Sequence, residues 1–237
     1  MKPKIICHIM SSVDGRLLNG RWTPLYDGTP FGEAGKVYAE AGRELHTQAW
    51  MFGKNTLQQG FFPEVFRHEG HPAAQHLTTY IGHRTSERLF VVADPTGEIT
   101  YTTDAVRGDN IVAMLGERVS EAYLEHLREM GISYLFAGAE GDDLPLAMHR
   151  LRTELGIESL SLQGGGIIDG AFLKAGLLDE LSLVVYPGID GLSGIPSVFE
   201  YLGTAGERPA AGQSLELLDV NRLACGIVQL HYKFHRK

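Results

Sequence analysis

The sequence predicts an α/β protein with a mostly parallel central sheet, flanking helices and an antiparallel hairpin at its C-terminal end. Short apolar runs of strand length alternate with segments of helical spacing through most of the 237 residues, which is typical of a parallel sheet. Residues 214–234 instead alternate apolar and polar side chains in two consecutive runs. That pattern is typical of two paired antiparallel strands.

The first half of the chain contains four predicted strands and three predicted helices. Residues 4–12 are rich in Ile and predict a strand that is buried on both faces. Val37, Ala41 and Leu45 recur at helical spacing and predict a helix over 31–48. The next elements, in order, are a strand at 49–53, a short helix from Asn55, strands at 88–94 and 110–115, and a helix at 120–131 that Ser120 can cap and Gly131 can end.

The second half continues the alternation and then changes to the hairpin. Its predicted elements, in order, are a strand at 132–138, a helix at 143–156, a strand at 157–163, a helix at 167–176, a strand at 180–187 and two antiparallel strands around Asn221. Residues 60–87 and 188–212 fit no element, and long loops in compact domains are often functional or mobile. No linker or internal repeat divides the chain, so we expect a single domain over residues 1–237.

Composition excludes several classes of function. Hydrophobic residues make up 43% of the chain and charged residues 21%, as in ordinary globular proteins. A net charge of −8, without a basic stripe among aromatic residues, disfavours nucleic acid as a partner. No apolar run approaches the ~20 residues of a membrane span, and the first residues are too polar for a signal peptide. Cys7 and Cys225 suit free thiols in a reducing compartment, so we expect a cytoplasmic protein.

Three consecutive glycines, Gly164 to Gly166, separate a predicted strand from a predicted helix. In open α/β sheets, ligands bind beyond the carboxyl ends of the strands. Without side chains there, a phosphate can reach the backbone N–H groups, and the helix start adds about half a positive charge. Gly170, one turn later, would let the helix lie close to the sheet or to a ligand. A tight turn that binds nothing explains the glycines equally well, so both interpretations stay open.

The residues around the glycines resemble a known family. The run GGGIIDGAFLKAGLLDELSLVVYPGIDG closely resembles the signature of the riboflavin-biosynthesis reductase domain, in the dihydrofolate-reductase-like superfamily. SSVDGRL (11–17) resembles that family's Ser-x-Asp-Gly-Arg segment, and AWMFGKNTL (49–57) resembles its Gly-x-x-Thr segment. The resemblance implies a dihydrofolate-reductase-like fold and an NADPH-dependent reductase, commonly a homodimer, that acts on a small heterocyclic or pterin-like substrate.

The resemblance also implies which residues bind the cofactor. Those for the pyrophosphate are Gly164, Gly165, Gly166, Ile167, Ile168, Gly170 and Ala171. Those near the adenosine 2′-phosphate are Gly53, Lys54 and Thr56. Ser11 and Ser12 would line the nicotinamide side. We expect Lys54 to lie near the 2′-phosphate, because that phosphate needs a positive charge beside it.

On the substrate side, the resemblance implies Asp14 and Gln163. Asp14 is the candidate catalytic residue, although Asp-Gly is also a preferred turn pair and Asp14 could serve the turn alone. Gln163 stands where the family usually has a substrate-binding glutamate, and this loss of charge can change substrate recognition. The family's arginine for the ribose phosphate is absent from the matching position, although Arg67 could serve from a different place. No proton donor is identified, and a water is the default.

Two alternative functions stay open. One is a protein that binds NADP without turnover, as a regulator. The other is a dihydrofolate reductase proper, which needs an acidic residue, Glu33 or Glu40, from the first helix. No zinc signature of a fused deaminase is present, and residues 68–71 (HEGH) lack the spacing that places two histidines on one helix face. We therefore expect no metal.

Overall fold

The computed structural model describes all 237 residues and confirms an α/β fold with a mostly parallel sheet and five helices. The helices are α1 (Phe31–Arg43), α2 (Lys54–Gly60), α3 (Glu121–Glu129), α4 (Leu144–Thr153) and α5 (Gly166–Lys174). The strands are β1 (Lys4–Ser12), β2 (Ala49–Gly53), β3 (Leu89–Ala93), β4 (Ala105–Val106), β5 (Asp109–Leu115), β6 (Ser133–Phe136), β7 (Ser159–Leu162), β8 (Glu180–Tyr186), β9 (Gln213–Arg222) and β10 (Val228–Arg236). None of the five helices has the length and apolar character needed to span a membrane.

The chain forms two compact units. Unit 1 comprises Met1–Pro3 and Thr47–Leu160, and unit 2 comprises Lys4–His46 and Ser161–Lys237. Unit 1 is thus an almost continuous insertion between the two stretches that build unit 2. A single domain over residues 1–237 stays a prediction.

Unit 1 is built on parallel strands. β2 pairs with β3, β3 with β5, and β5 with β6, all in parallel, whereas the short β4 pairs with β5 in antiparallel fashion. Side chains from these strands, from α3 and from the loop after α2 form one buried apolar core. Because the strands are parallel, the residues that follow Gly53, Ala93 and Leu115 lie at the same edge of the sheet. That edge carries the candidate residues of this unit.

Unit 2 combines parallel and antiparallel pairing. β1 and β8 are parallel, β8 and β10 are antiparallel, and β10 and β9 form the C-terminal hairpin. β1 is buried along almost its whole length, as the sequence predicts. Trp22 is buried and its ring packs against Phe31 and Tyr186, so it is a packing residue.

Two local predictions were wrong, and one short strand was missed. The hairpin does not turn at Asn221, which pairs with Gln229 inside the ladder. The turn lies at residues 223–227, where Cys225 and Gly226 take φ angles of 58° and 69°, so Cys225 is in the turn rather than in a strand. α1 ends at Arg43 because His46 takes a φ of 49°, outside the helical region. β4 was missed because two residues are too few to show a period.

The loop at residues 60–87 packs on unit 1 through specific contacts. Phe66 donates its N–H to the carbonyl of Glu98 at 2.8 Å, and His68 places its two ring nitrogens 2.9 Å from the Ser120 hydroxyl and from the Gly97 carbonyl. Ser120 in turn caps α3, as predicted, by accepting the N–H of Tyr123. His68 is therefore engaged in packing contacts on both sides of its ring.

The second unassigned loop, residues 188–212, crosses α5, and we call it the crossing segment. Glu200 donates its N–H to the carbonyl of Gly166 at 2.9 Å. One turn later, a Cβ added to Gly170 would lie 2.5 Å from the carbonyl carbon of Glu200. Near the end of the helix, Lys174 pairs with Glu207 at 3.2 Å. The segment therefore follows α5 from its first turn to its last.

The crossing segment also binds the loop that follows β1. Leu17 donates its N–H to the carbonyl of Pro196 at 3.0 Å, and the Arg16 guanidinium donates to that of Ile195 at 2.8 Å. Arg21 forms two hydrogen bonds with the carboxylate of Asp190, at 2.7 and 3.1 Å. The crossing segment thus contacts two parts of unit 2 that carry predicted site residues, α5 and the loop after β1.

We predict that Gly170→Ala destabilises the protein by about 1–3 kcal/mol, because the new methyl group would overlap rigid backbone atoms of Glu200. The matched control is Gly35→Ala in α1, where an added Cβ meets nothing within 4 Å. That substitution should stabilise by about 0.5–1 kcal/mol. Urea unfolding measures both, and equal effects of the two substitutions would contradict the packing of the crossing segment.

Candidate functional site

The glycine turn follows β7, and its three glycines differ in what they require. Gly164 has a φ of 84°, which L side chains rarely adopt, and a Cβ there would lie 2.7 Å from Cδ1 of Ile9. Gly165 has a φ of −72° and a ψ of −174°, an extended conformation open to any residue. The peptide bond between them is cis. By its backbone angles, only Gly164 must be a glycine.

The third glycine and Gly170 are explained by packing within unit 2. A Cβ on Gly166 would lie 2.3 Å from the carbonyl oxygen of Ser197, and Gly170 meets the backbone of Glu200 in the same way. The sequence left open whether Gly170 faces the sheet or a ligand. In the structure it faces the crossing segment.

The start of α5 leaves backbone donors open. Ile168 and Asp169 both donate their N–H groups to the carbonyl of Gly165, at 3.1 and 3.2 Å. Gly165 precedes the helix and offers no side chain to cap it, so the N–H groups of Gly166 and Ile167 have no partner within the helix. Gly166 is buried and Ile167 is exposed. Ile168 and Ala171 are partly exposed in the same helix. This end of α5 has the donors and the dipole that bind an anion.

Asp169 lies in the first turns of α5, where an ionised carboxylate would repel an anion. Its carboxyl is fully buried beside the Cys7 thiol, and neither of its oxygens has a hydrogen-bond partner of good geometry. Burial raises the pKa of Asp169 well above its ordinary value. Burial thus favours the uncharged form of this carboxyl at the end of the helix that a phosphate would approach.

Asp14 lies in the tight turn after β1. Its carboxylate accepts the hydroxyl of Ser12 at 2.6 Å and the N–H groups of Gly191 and Asp190 at 2.9 and 3.2 Å. These bonds, that from Ser12 above all, lower the pKa of Asp14 to about 2. Asp14 is therefore ionised near neutral pH and has no proton to donate. Its visible role is to join the turn to the crossing segment.

Ser11 and Ser12 are almost fully buried at the carboxyl end of β1. The Ser11 hydroxyl donates to the carbonyl of Ser12 at 3.1 Å, and the Ser12 hydroxyl also accepts the N–H of Arg16 at 2.9 Å. Both hydroxyls are thus fixed by local bonds. They end β1, directly before the turn that contains Asp14.

Gln163 belongs to a buried polar network that the sequence did not reveal. The Tyr38 hydroxyl lies 2.6 Å from Oε1 of Gln163 and 2.8 Å from the carbonyl oxygen of His8. The Gln163 amide also donates to the hydroxyl of Ser161 at 2.9 Å. Gln163 is 5% exposed, so its orientation is set by Tyr38 and Ser161.

His8 completes this network as a neutral ring. Its ring stacks on that of Tyr38 with centroids 4.4 Å apart, and burial lowers its pKa to about 4. Nε2 lies 3.2 Å from the Tyr38 carbonyl, so Nε2 carries the proton, and Nδ1 accepts the hydroxyl of Ser182 at 2.9 Å. A histidine inside an apolar strand gave no signal for this role in the sequence.

Unit 1 carries the other predicted cofactor residues at the carboxyl edge of its sheet. Gly53 ends β2, and Lys54 and Thr56 lie in the short α2 that follows. The Lys54 ammonium donates to Thr96 Oγ1 and to Glu98 Oε2, both at 2.7 Å. Thr56 is partly exposed. The predicted positive charge is present, but a carboxylate already contacts it.

A comparison with protein families identifies the chain. Residues 3–229 match the RibD C-terminal domain. The chain belongs to this family.

Solved structures of RibD-type proteins share the fold. Acinetobacter baumannii RibD superposes with a TM-score of 0.66 at 20% identity, over 99% of this chain and 58% of that one. A pyrimidine reductase-like protein from Corynebacterium diphtheriae gives 0.65 at 14% identity, over 99% and 93%. The Saccharomyces cerevisiae riboflavin biosynthesis reductase Rib7 gives 0.58 at 12% identity, over 99% and 90%. The chain thus spans little more than half of the A. baumannii protein.

Three further residues named from the sequence, Glu33, Glu40 and Arg67, can be placed in the structure. Glu33 and Glu40 of α1 are both exposed, and Glu33 pairs with Lys36 at 2.8 Å. The inward side of α1 carries Tyr38 beside Gln163 instead. Arg67 is exposed in the loop after α2. In this chain, α1 therefore offers no buried carboxylate.

Proposed function

We propose that this chain is an NADPH-dependent reductase of a small heterocyclic substrate. The substrate class is that of the riboflavin-pathway pyrimidine, 5-amino-6-(5-phosphoribosylamino)uracil. The observation that carries the proposal is the uncapped start of α5, with the open N–H groups of Gly166 and Ile167, in a member of the RibD C-terminal domain family. These donors fit the cofactor pyrophosphate, and the burial of Asp169 favours its uncharged form, which reduces its repulsion of a phosphate.

The cofactor would supply the hydride, and the chain would supply binding and orientation. Ser11 and Ser12 would position the nicotinamide side, held in place by the turn that Asp14 stabilises. Because Asp14 is ionised, we propose that it orients substrate or turn rather than donating a proton. Gln163, fixed by Tyr38, would present its amide to the substrate. The proton would come from water.

A pyrimidine fits this chain better than a pterin. A dihydrofolate-type site needs an acid from the first helix, and Glu33 and Glu40 are both exposed. Gln163 is neutral and can both donate and accept hydrogen bonds, which suits the mixed donor and acceptor edge of either heterocycle, so the exposed acids of α1 carry the preference. A reducing, cytoplasmic setting is part of the proposal, since Cys7 and Cys225 are free thiols.

We also propose that the protein is a homodimer, formed through the outer strands of unit 2. Leu215, Leu217, Leu218 and Val220 of the edge strand β9 are each about half exposed. Their cross-strand partners on β10 are apolar as well: Phe234 faces Leu215, Tyr232 faces Leu217 and Leu230 faces Val220. Monomers seldom expose continuous apolar patches of this kind, and a second copy presents the same apolar surface.

The dimer proposal predicts a sedimentation mass of twice the 26.0 kDa chain. Leu217→Lys should give the monomer, because it would bury a charge in the apolar interface. Ser214→Lys, on the opposite face of the same strand, is the control and should stay dimeric. A monomeric wild type, or an unchanged Leu217→Lys dimer, would refute this surface.

The cofactor proposal predicts that NADPH raises the melting temperature more than NADH at equal concentration, since the tighter ligand stabilises more. Added salt should reduce the difference, because exposed charge contacts are screened. Oxidation of NADPH with a panel of pyrimidines and pterins should then show turnover with a pyrimidine. Binding without turnover on any of them would favour a regulator, and no binding would reject the function.

The glycine turn predicts that one substitution weakens cofactor binding and that another lowers stability. Gly165→Val should fold, because its φ of −72° suits any residue, but its side chain should block the N–H groups at the start of α5. We expect NADPH affinity to fall about tenfold or more, because at least one charge-assisted hydrogen bond would be lost. Gly164→Ala, at a φ of 84°, should instead lower stability by about 1–2 kcal/mol. Calorimetry and urea unfolding measure both, and a folded Gly165→Val with wild-type affinity would mean that the turn binds no phosphate.

A further inference from the structure

The Lys54 ammonium is held at the carboxyl edge of the parallel sheet of unit 1. Lys54 follows β2, while its partners Thr96 and Glu98 follow the neighbouring strand β3, and both contacts measure 2.7 Å. Ligands of parallel sheets bind at this edge. The Lys54 side chain is 23% exposed and that of Glu98 is 37% exposed, so a ligand can approach the pair.

The position of Glu98 is fixed by its surroundings. The buried Asp94 accepts the N–H of Ile99 at 3.0 Å and the hydroxyl of Tyr123 at 3.1 Å. The carbonyl of Glu98 itself accepts the N–H of Phe66 at 2.8 Å. With the backbone held on both sides, only the side chain of Glu98 can move away from Lys54.

The pair has no net charge, which matters for an anionic ligand. Hydrogen bonding to Lys54 lowers the pKa of Glu98, so its carboxylate is ionised near neutral pH. A phosphate that contacts the Lys54 ammonium also lies within a few ångströms of this carboxylate. The attraction of one group is therefore largely offset by the repulsion of the other.

We propose that Glu98 determines specificity between the two nicotinamide dinucleotides, by neutralising Lys54 and so weakening the preference for the 2′-phosphorylated form. This inference rests on the proposed function and on the expectation, implied by the family resemblance, that Lys54 lies beside the 2′-phosphate. Thr96 shares the ammonium and keeps it in place when Glu98 is replaced. The lysine is then free to interact with the phosphate.

The test is titration calorimetry of NADP⁺ and NAD⁺, which differ only by the 2′-phosphate. Glu98→Gln should raise the affinity for NADP⁺ about tenfold (~1.4 kcal/mol) and leave that for NAD⁺ unchanged. Adding Lys54→Met to Glu98→Gln should abolish this gain. Glu158→Gln is the matched control, because Glu158 pairs with Arg152 at 2.9 Å and precedes β7 instead of following a strand. It should change neither affinity.

The outcomes separate this inference from the proposed function. If Glu98→Gln leaves the ratio of the two affinities unchanged, while wild type binds both dinucleotides, the role of Glu98 is wrong and the reductase proposal stands. If the double variant keeps the gain, Lys54 is not the group that Glu98 neutralises, and the inference fails as well. If the wild type binds neither dinucleotide, both proposals are overturned. Glu98→Ala repeats the test without an amide at this position.

Discussion

Unit 2 depends on the direct approach of backbone to backbone at the start of α5. The crossing segment lies so close to Gly166 and Gly170 that a single methyl group at either position would overlap its main chain. The same segment holds the loop after β1 through Arg16 and Leu17. The positions of the buried Ser11 and Ser12 therefore depend, through this segment, on the absence of a side chain at Gly166 and Gly170. Glycine here stabilises a junction of three chain segments rather than providing freedom to one.

The candidate residues that carry charge are already compensated. Asp14 is surrounded by donors, burial raises the pKa of Asp169 and so favours its uncharged form, and Lys54 contacts a carboxylate. What remains open to an anion in unit 2 is the set of main-chain N–H groups at the start of α5. Recognition by backbone dipoles depends on shape and position more than on net charge. Under the proposed function, a protein with a net charge of −8 would in this way bind a phosphorylated ligand without a basic pocket.

Most elements were predictable from the sequence because their patterns are local. The Ile-rich β1 and the capped α3 appear where the apolar spacing and Ser120 place them. The hairpin turn was misplaced because alternation continues through Asn221 and no local signal marks Cys225 as the turn residue. For the site, local motifs indicated the glycines and Lys54. Their partners were not predictable, since Glu98 is 44 residues from Lys54 and Tyr38 is 125 residues from Gln163. The spacing of residues along the sequence does not indicate contacts between positions so far apart.

The order of the two units along the chain has a consequence for biosynthesis. β1 is made early, but its parallel neighbour β8 pairs Ile6 with Glu180, after the whole of unit 1 has been synthesised. At 5–20 residues per second, this interval lasts roughly 9–35 s. During that time β1 lacks its parallel neighbour β8, while unit 1 can already form its own parallel sheet. Exposed apolar segments bind chaperones and misassemble, so β1 is vulnerable for as long as β8 has not been made.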